Sequence, residues 1–153
     1  MARTDIRVQT QDFSVEAEML AVRRRSPDRG AIVNFVGVVR DVNEGDSVSA
    51  LALEHYPGMT EKSLAAIVEK ARARWDIGDV TVIHRVGPLN VGDQIVLTLV
   101  ASRHRHAAFE ACAFIMDWLK TEAPFWKKET TPTGDRWVEA RESDEYAKAR
   151  WGE

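Results

Sequence analysis

The chain has 153 residues, a net charge of -3, and a composition that is 44% hydrophobic and 29% charged. That length supports one domain with a sizeable core, and the acidic balance argues against a general nucleic-acid binder, which carries a basic excess. With a single cysteine, Cys112, no internal disulfide can form, so a reducing cytoplasm is the expected compartment. The N-terminal stretch MARTDIRVQT lacks a signal-peptide core, and no apolar run approaches the roughly 20 residues that span a bilayer.

In chain order, Asp5 to Val8 reads as a short strand, and Ser14 as the cap of a helix ending near Arg23. AIVNFVGVV, from Ala31 to Val39, is almost wholly apolar and β-branched, which predicts a buried strand. A polar loop, DVNEGDS, follows. SVSALALEHY is the next strand, with Leu51, Leu53 and His55 on one face, and Pro57 and Gly58 end it. Thr60 to Trp75 has helical spacing, with Leu64, Ile67, Val68, Ala71 and Trp75 sharing a face. Val80 to Val86 alternates as a strand does, PLNVGD reads as a turn, and QIVLTLVAS as another buried strand. A helix from about His104 to Glu122 follows directly, and Pro124 stops it. FWKKETT and DRWVEA read as two strands joined by the TPTG turn, and residues 142–153 as a final helix or mobile tail. Strands and helices mixed in this way predict a single-domain α+β fold.

Three places hold chemistry-bearing side chains. In SRHRHAAFEA, Arg103, His104, Arg105 and His106 crowd the start of a helix, where free N–H groups and the macrodipole favour anions. An anion site and a solvated basic turn capped by Ser102 fit this pattern equally well. His104 and His106 lack the further Cys or acid that a metal set needs, so no metal is expected. Lys120 lies in the last turn of the same helix, a position that the dipole favours for any lysine. On the strand beyond, the pleat sends Phe125, Lys127 and Glu129 one way and Trp126, Lys128 and Thr130 the other. Only Lys127 of the adjacent pair can therefore share a cleft with Lys120. Lysines crowded by other cations can work as acid, base or nucleophile, and a solvated pair is the plain alternative. Arg40, at the end of GVVRD, and Arg141, after the last strand, stand at strand edges where ligands or simple ion pairs are both common. Gly37 could admit a ligand or a backbone closely. Cys112 falls on an apolar helix face with Ala108, Ala111, Ile115 and Leu119, as a buried inert thiol does. His55 and His84 read as satisfied core or edge histidines.

Six segments, VGVVRD, LEHYPGM, VIHRVGPLNVGD, SRHRHAAFEA, FIMDWLKTEAPFWKKE and GDRWVEARESD, together resemble the large subunit of molybdopterin synthase, in order and at similar spacing from about Phe13 to Trp151. The resemblance implies an α/β-hammerhead type fold over residues 1–153. It implies a dimer of large subunits, each binding a small ubiquitin-like subunit, in a heterotetramer. The small subunit's Gly-Gly tail carries a thiocarboxylate whose sulfur passes to cyclic pyranopterin monophosphate, and two transfers build the molybdopterin dithiolene. No cofactor is implied, and Cys112 need not carry sulfur.

By the same resemblance, Lys120 and Lys127 are the catalytic lysines. His104, Arg105 and Arg40 bind the substrate's phosphate and pterin region, together with Val38, Val39, Lys128 and Glu129. Arg141 reaches the pocket from the neighbouring subunit. Some relatives have lysine where this chain has Val38, so only backbone contacts carry over there. Two other readings remain open: a non-catalytic scaffold for a ubiquitin-like tail, and a phosphate-ester enzyme with His104 as general base.

Overall fold

The architecture, from a computed structural model, is described here for residues 2–43, 46–47, 50–138 and 147–152. Two four-stranded sheets organise it. The first has the order β1-β6-β8-β2, built from β1 (Thr4–Gln9), β6 (Val80–Arg85), β8 (Gln94–Ser102) and β2 (Ala31–Val38). Only β1 and β6 run parallel; the other pairs are antiparallel. The second has the order β10-β9-β5-β7, built from β10 (Gly134–Val138), β9 (Phe125–Thr131), β5 (Ala50–His55) and β7 (Gly87–Asn90), all antiparallel. A two-residue ladder, β3 (Val42–Asn43) with β4 (Asp46–Ser47), interrupts what the sequence predicts as a plain loop.

Helices cover both faces of the first sheet. Helix α1 (Val15–Arg25) lies on one face, where Val22 packs with Ile83, Leu97, Leu99 and Ala101. Ser14 caps it as expected, its side chain accepting from the Ala17 N–H at 3.2 Å. Helices α2 (Met59–Arg74) and α3 (Arg105–Glu122) lie on the other, where Leu64, Ile67, Val68 and Ala71 meet Val80, Val82, Val96, Phe114 and Ile115. This double cover explains why β6 is buried at Val80 to His84 without a break, although its sequence alternates. A strand between two helical layers buries both pleat faces. A third cluster, Val39, Leu51, Leu53, Val86 and Leu89, joins the two sheets and draws in Phe125.

Two local expectations change. PLNVGD is not simply a turn: Gly87–Asn90 pairs with β5, and the reversal falls at Val91 and Gly92, where Gly92 takes φ 88°. Gly37 is explained by packing rather than by a ligand. A Cβ there would stand 2.9 Å from Val96 Cγ1 and 3.4 Å from the Phe35 ring. Of the expected C-terminal helix, residues 147–149 are helical and the rest of the expectation lies outside the described residues. Trp151 docks on the helical layer, its indole N–H donating to Asp117 Oδ2 at 2.7 Å and its ring meeting Trp75 and Phe114 edge-on.

Candidate active site

The candidate residues fall at the two ends of α3. Its start holds Arg103, His104, Arg105 and His106, all exposed. They line an open cleft of about 500 Å³ together with Gly30, Ala31 and Phe109. The helix begins at Arg105 with His104 as its N-cap, and no side chain caps it. Ser102 instead accepts from the His104 N–H at 3.1 Å and donates to the Asp76 carbonyl at 2.9 Å. Ser102 thus shapes the turn and leaves the first helical N–H groups to the cleft. The first turn of α3 contains no acid, whereas α1 has Glu16 and Glu18 there and α2 has Glu61. Arg103 makes a long ion pair with Asp28, at 3.8 Å. The dipole and the side chains therefore add in the same direction, and both favour a bound anion.

Lys120 is exposed in the last turn, fifteen residues after Arg105. At 1.5 Å per residue that separates the two by about 22 Å along the helix axis. Around Lys120 the surroundings are more enclosed. His84, 4% exposed, stacks on Phe125 with ring centroids 3.8 Å apart and planes 19° apart. Its Nδ1 lies 2.9 Å from the Arg85 carbonyl, a contact that needs the proton on Nδ1. Burial above all, with a smaller push from the nearby Lys120 and His55, brings the imidazole pKa down to about 4 against the pull of that hydrogen bond. His84 is therefore neutral, and it reports that Lys120 and His55 lie close by.

The register of β9 places the other lysine. Lys127 is opposite Leu53, Glu129 opposite Leu51 and Phe125 opposite His55. Cross-strand partners share a face, and Leu51 and Leu53 are buried. Phe125, Lys127 and Glu129 thus occupy the inner face, as the pleat predicts. Lys128 turns to the other side, with its Nζ 5.7 Å from the Trp137 ring centroid and 4.0 Å from Asp135. The inner face of β9 brings Lys127 to the same end of the molecule as Lys120 and leaves Lys128 apart. Arg40, exposed, follows Val39, which packs in the cluster that also takes in Leu53 and Phe125. Val38 is 48% exposed on the strand edge. Arg141 lies outside the described residues.

Glu129 is 3% exposed and accepts from Arg136 Nε at 3.2 Å and Nη2 at 3.1 Å. Such a buried carboxylate clamps the β9–β10 hairpin, whose register sets Arg136 opposite Glu129. Sequence reasoning missed Arg136 and treated His84 as ordinary core. The first was within reach, because a tight TPTG turn fixes the hairpin register and pairs positions 129 and 136. The second was not, since nothing local says that β6 passes beside the end of α3. Cys112 is buried, and burial pushes its thiol up to about 11, so it stays protonated and inert. Among the described residues, no three or more His, Cys, Asp or Glu side chains gather as a metal set would.

A two-sheet α+β domain with Lys120 and Lys127 towards one end of α3 and a cluster of basic side chains at the other suits the handling of anionic reactants. Comparison with known proteins makes this specific. Residues 8–122 match the model of the MoaE protein family, and the chain belongs to that family. It is 62% identical over 151 residues to the molybdopterin synthase catalytic subunit of Escherichia coli, covering 99% of this chain and 100% of that one. It is 61% identical over 147 residues to the subunit of the same name from Ralstonia nicotianae, covering 96% and 84% respectively. Among solved structures, the MoaE protein of Burkholderia ambifaria superposes with a TM-score of 0.84 at 55% identity, over 100% of this chain and 99% of that one. The molybdopterin synthase of Staphylococcus aureus superposes with a TM-score of 0.78 at 31% identity, over 87% and 96%.

Proposed function

We infer that this chain is the catalytic subunit of a molybdopterin synthase. It transfers sulfur from the C-terminal thiocarboxylate of a small ubiquitin-like partner to cyclic pyranopterin monophosphate, building the dithiolene. The observation that carries this reading is near-full-length identity of about 60% to catalytic subunits of that enzyme. The residues suit the chemistry. Both reactants are anionic, and bringing them together requires fixed positive charge in a partly desolvated setting.

We assign the proton transfers to Lys120 and the orientation of the thiocarboxylate, with stabilisation of developing charge, to Lys127. Neutral His84 beside Lys120 adds no competing cation. The ion pair of buried Glu129 with partly exposed Arg136 holds the strand that presents Lys127, so Glu129 acts here through position. Arg40 stands at the lysine end, with the Val38–Val39 backbone offering polar contacts. Lys128 faces away, and its contribution would be to the rim.

His104 and Arg105 cannot serve the lysines of their own chain across about 22 Å of helix. We propose that they serve those of a second copy, so that each active site in the dimer is completed in trans, as the resemblance already suggested for Arg141.

We further propose that residues 1–153 act as one domain and work in the cytoplasm, where a lone protonated thiol is stable; no helix among the described residues is long and apolar enough to cross a membrane. Reconstitution tests the function. Mixing the protein with a thiocarboxylated small subunit and cyclic pyranopterin monophosphate is expected to yield dithiolene product. Binding of the small subunit without product would return the scaffold reading to first place, and turnover without any protein sulfur donor would favour the phosphate-ester enzyme.

A further inference from the structure

We propose that Trp151 is a positioning residue for the transfer reaction: the segment from Lys148 to Trp151 bolts the outer side of α3 to α2 and so fixes where Lys120 points. The inference rests on the reading of Lys120 as the group that moves the proton, and adds what holds that group in place.

The end of α3 needs support from outside the helix. Lys120 lies in its last turn, and the final carbonyls of a helix have no partner within it. The Ala123 N–H still reaches the Leu119 carbonyl, at 3.3 Å. The next donor in the ladder would come from Pro124, which has no N–H, so the ladder stops short of the Lys120 carbonyl. A turn closed so loosely by its backbone frays. A lysine that must meet a reacting atom at hydrogen-bond distance needs a firmer base.

Side chains supply that base. The Trp151 indole N–H donates to Asp117 Oδ2 at 2.7 Å, and Arg150 Nη2 approaches the same oxygen at 3.2 Å. Lys148 pairs with Glu122 and sets its Nζ 5.0 Å from the Trp118 ring centroid. Helix α2 closes the junction. Its Lys70 Nζ stands 5.1 Å from the same Trp118 ring. Its Arg74 donates from Nη1 to the Trp151 carbonyl at 3.0 Å, with the guanidinium 5.1 Å from the Phe114 ring centroid and 5.7 Å from that of Trp151.

Trp151 is the centre of this junction. Partly exposed ion pairs such as Arg150–Asp117 contribute little by themselves. Trp151 instead meets Trp75 and Phe114 edge-on, each at 5.5 Å, with its N–H satisfied, the geometry that aromatic rings favour. Trp118 and Glu122 stand two residues either side of Lys120, about 200° round the helix. The segment thus grips α3 on the side away from Lys120, whose side chain stays exposed, and acts on it through the helix.

The test compares single-turnover rates in the full-length protein, with the thiocarboxylated small subunit and cyclic pyranopterin monophosphate. Trp151→Ala is expected to slow the transfer roughly 10-fold, with the substrate concentration for half-maximal rate unchanged. Trp151→Phe keeps a ring and loses the indole N–H, and is expected to stay within about 3-fold of wild type. In a Lys120→Ala background, Trp151→Ala is expected to cause no further loss, because the group it positions is gone. A wild-type rate for Trp151→Ala, or the same loss with and without Lys120, would overturn the inference. Amide exchange in Trp151→Phe decides the matter even where Trp151→Ala does not fold. Faster exchange at Thr121, Glu122 and Ala123, with Ala108 to Cys112 unchanged, is the expected result, and exchange identical to wild type at both would overturn the anchor. No product from the wild-type protein would overturn the functional reading and this inference with it, whereas wild-type product with an unaffected Trp151→Ala overturns the inference alone.

Discussion

The start and the end of α3 present positive charge in different ways. At the start, two arginines and two histidines, all exposed, line an open cleft, and Arg103 makes a long ion pair with Asp28. At the end, Lys120 stands beside a buried, neutral His84 stacked on Phe125, and Lys127 rides on a strand clamped by the ion pair of buried Glu129 with Arg136. An open cluster attracts and holds an anion in many geometries, whereas an enclosed, stacked setting fixes direction. On the roles proposed above, the difference separates binding from chemistry, with the start of the helix recruiting the phosphate-bearing substrate and the end performing the transfer.

Mutation can break that contrast. Lys120→Ala is expected to cut turnover about 100-fold or more, the scale of losing a general acid–base group. Single-turnover product formation would show it, and near-normal turnover would sink the proton-transfer role. Arg105→Ala should fall mainly on KM, lowering kcat/KM by roughly 10-fold or somewhat more, as for one charged hydrogen bond. An equal fall in kcat would erase the distinction between the two ends.

Smaller effects sharpen it. Arg136→Ala leaves the Glu129 carboxylate buried without its clamp. Because Arg136 is about a third exposed, the loss should be about 2 kcal/mol, below the ~3–5 kcal/mol of a fully enclosed pair. Urea unfolding would measure it, and an unchanged midpoint would mean that the clamp is idle. Folded His84 titrates near 4, while in the unfolded chain it titrates near its usual ~6.5. The unfolded chain therefore takes up the extra proton first, so stability is full above about 6.5 and declines as pH falls towards 4. His84→Gln should flatten that acid limb, and an unchanged slope would show that His84 is not the group responsible. Last, Cys112 in the native protein should resist thiol reagents at neutral pH, with activity intact; rapid labelling would reopen a role for it.

The long helices and the longer strands, with the orientation of the lysine strand, were legible because they follow from local periodicity, whereas the short β3, β4 and β7 pairings were not. The pleat alone placed Lys127 inward and Lys128 outward. Helical spacing likewise placed Cys112 in the core, among alanines and isoleucine. What was not legible was distance. His104, Arg105, Lys120 and Lys127 were read as parts of one site, and the length of α3 prevents that within a single chain. The neighbourhood of His84 was likewise hidden, since β6 meets Phe125 only through packing between two sheets. Gly37 invited a ligand in the sequence and is instead required by Val96 and Phe35.

Mixed dimers measure the central claim most directly. Lys120→Ala and Arg105→Ala chains, the first nearly inactive and the second at about a tenth of the wild-type kcat/KM as homodimers, are co-purified through two different tags and assayed at low substrate with the thiocarboxylated small subunit. If each site takes its lysine from one copy and its arginine from the other, one of the two sites is intact and activity returns to about half of the wild-type value. If the mixed dimer shows no more activity than the Arg105→Ala homodimer, each site lies within one chain and the trans-completed account is wrong.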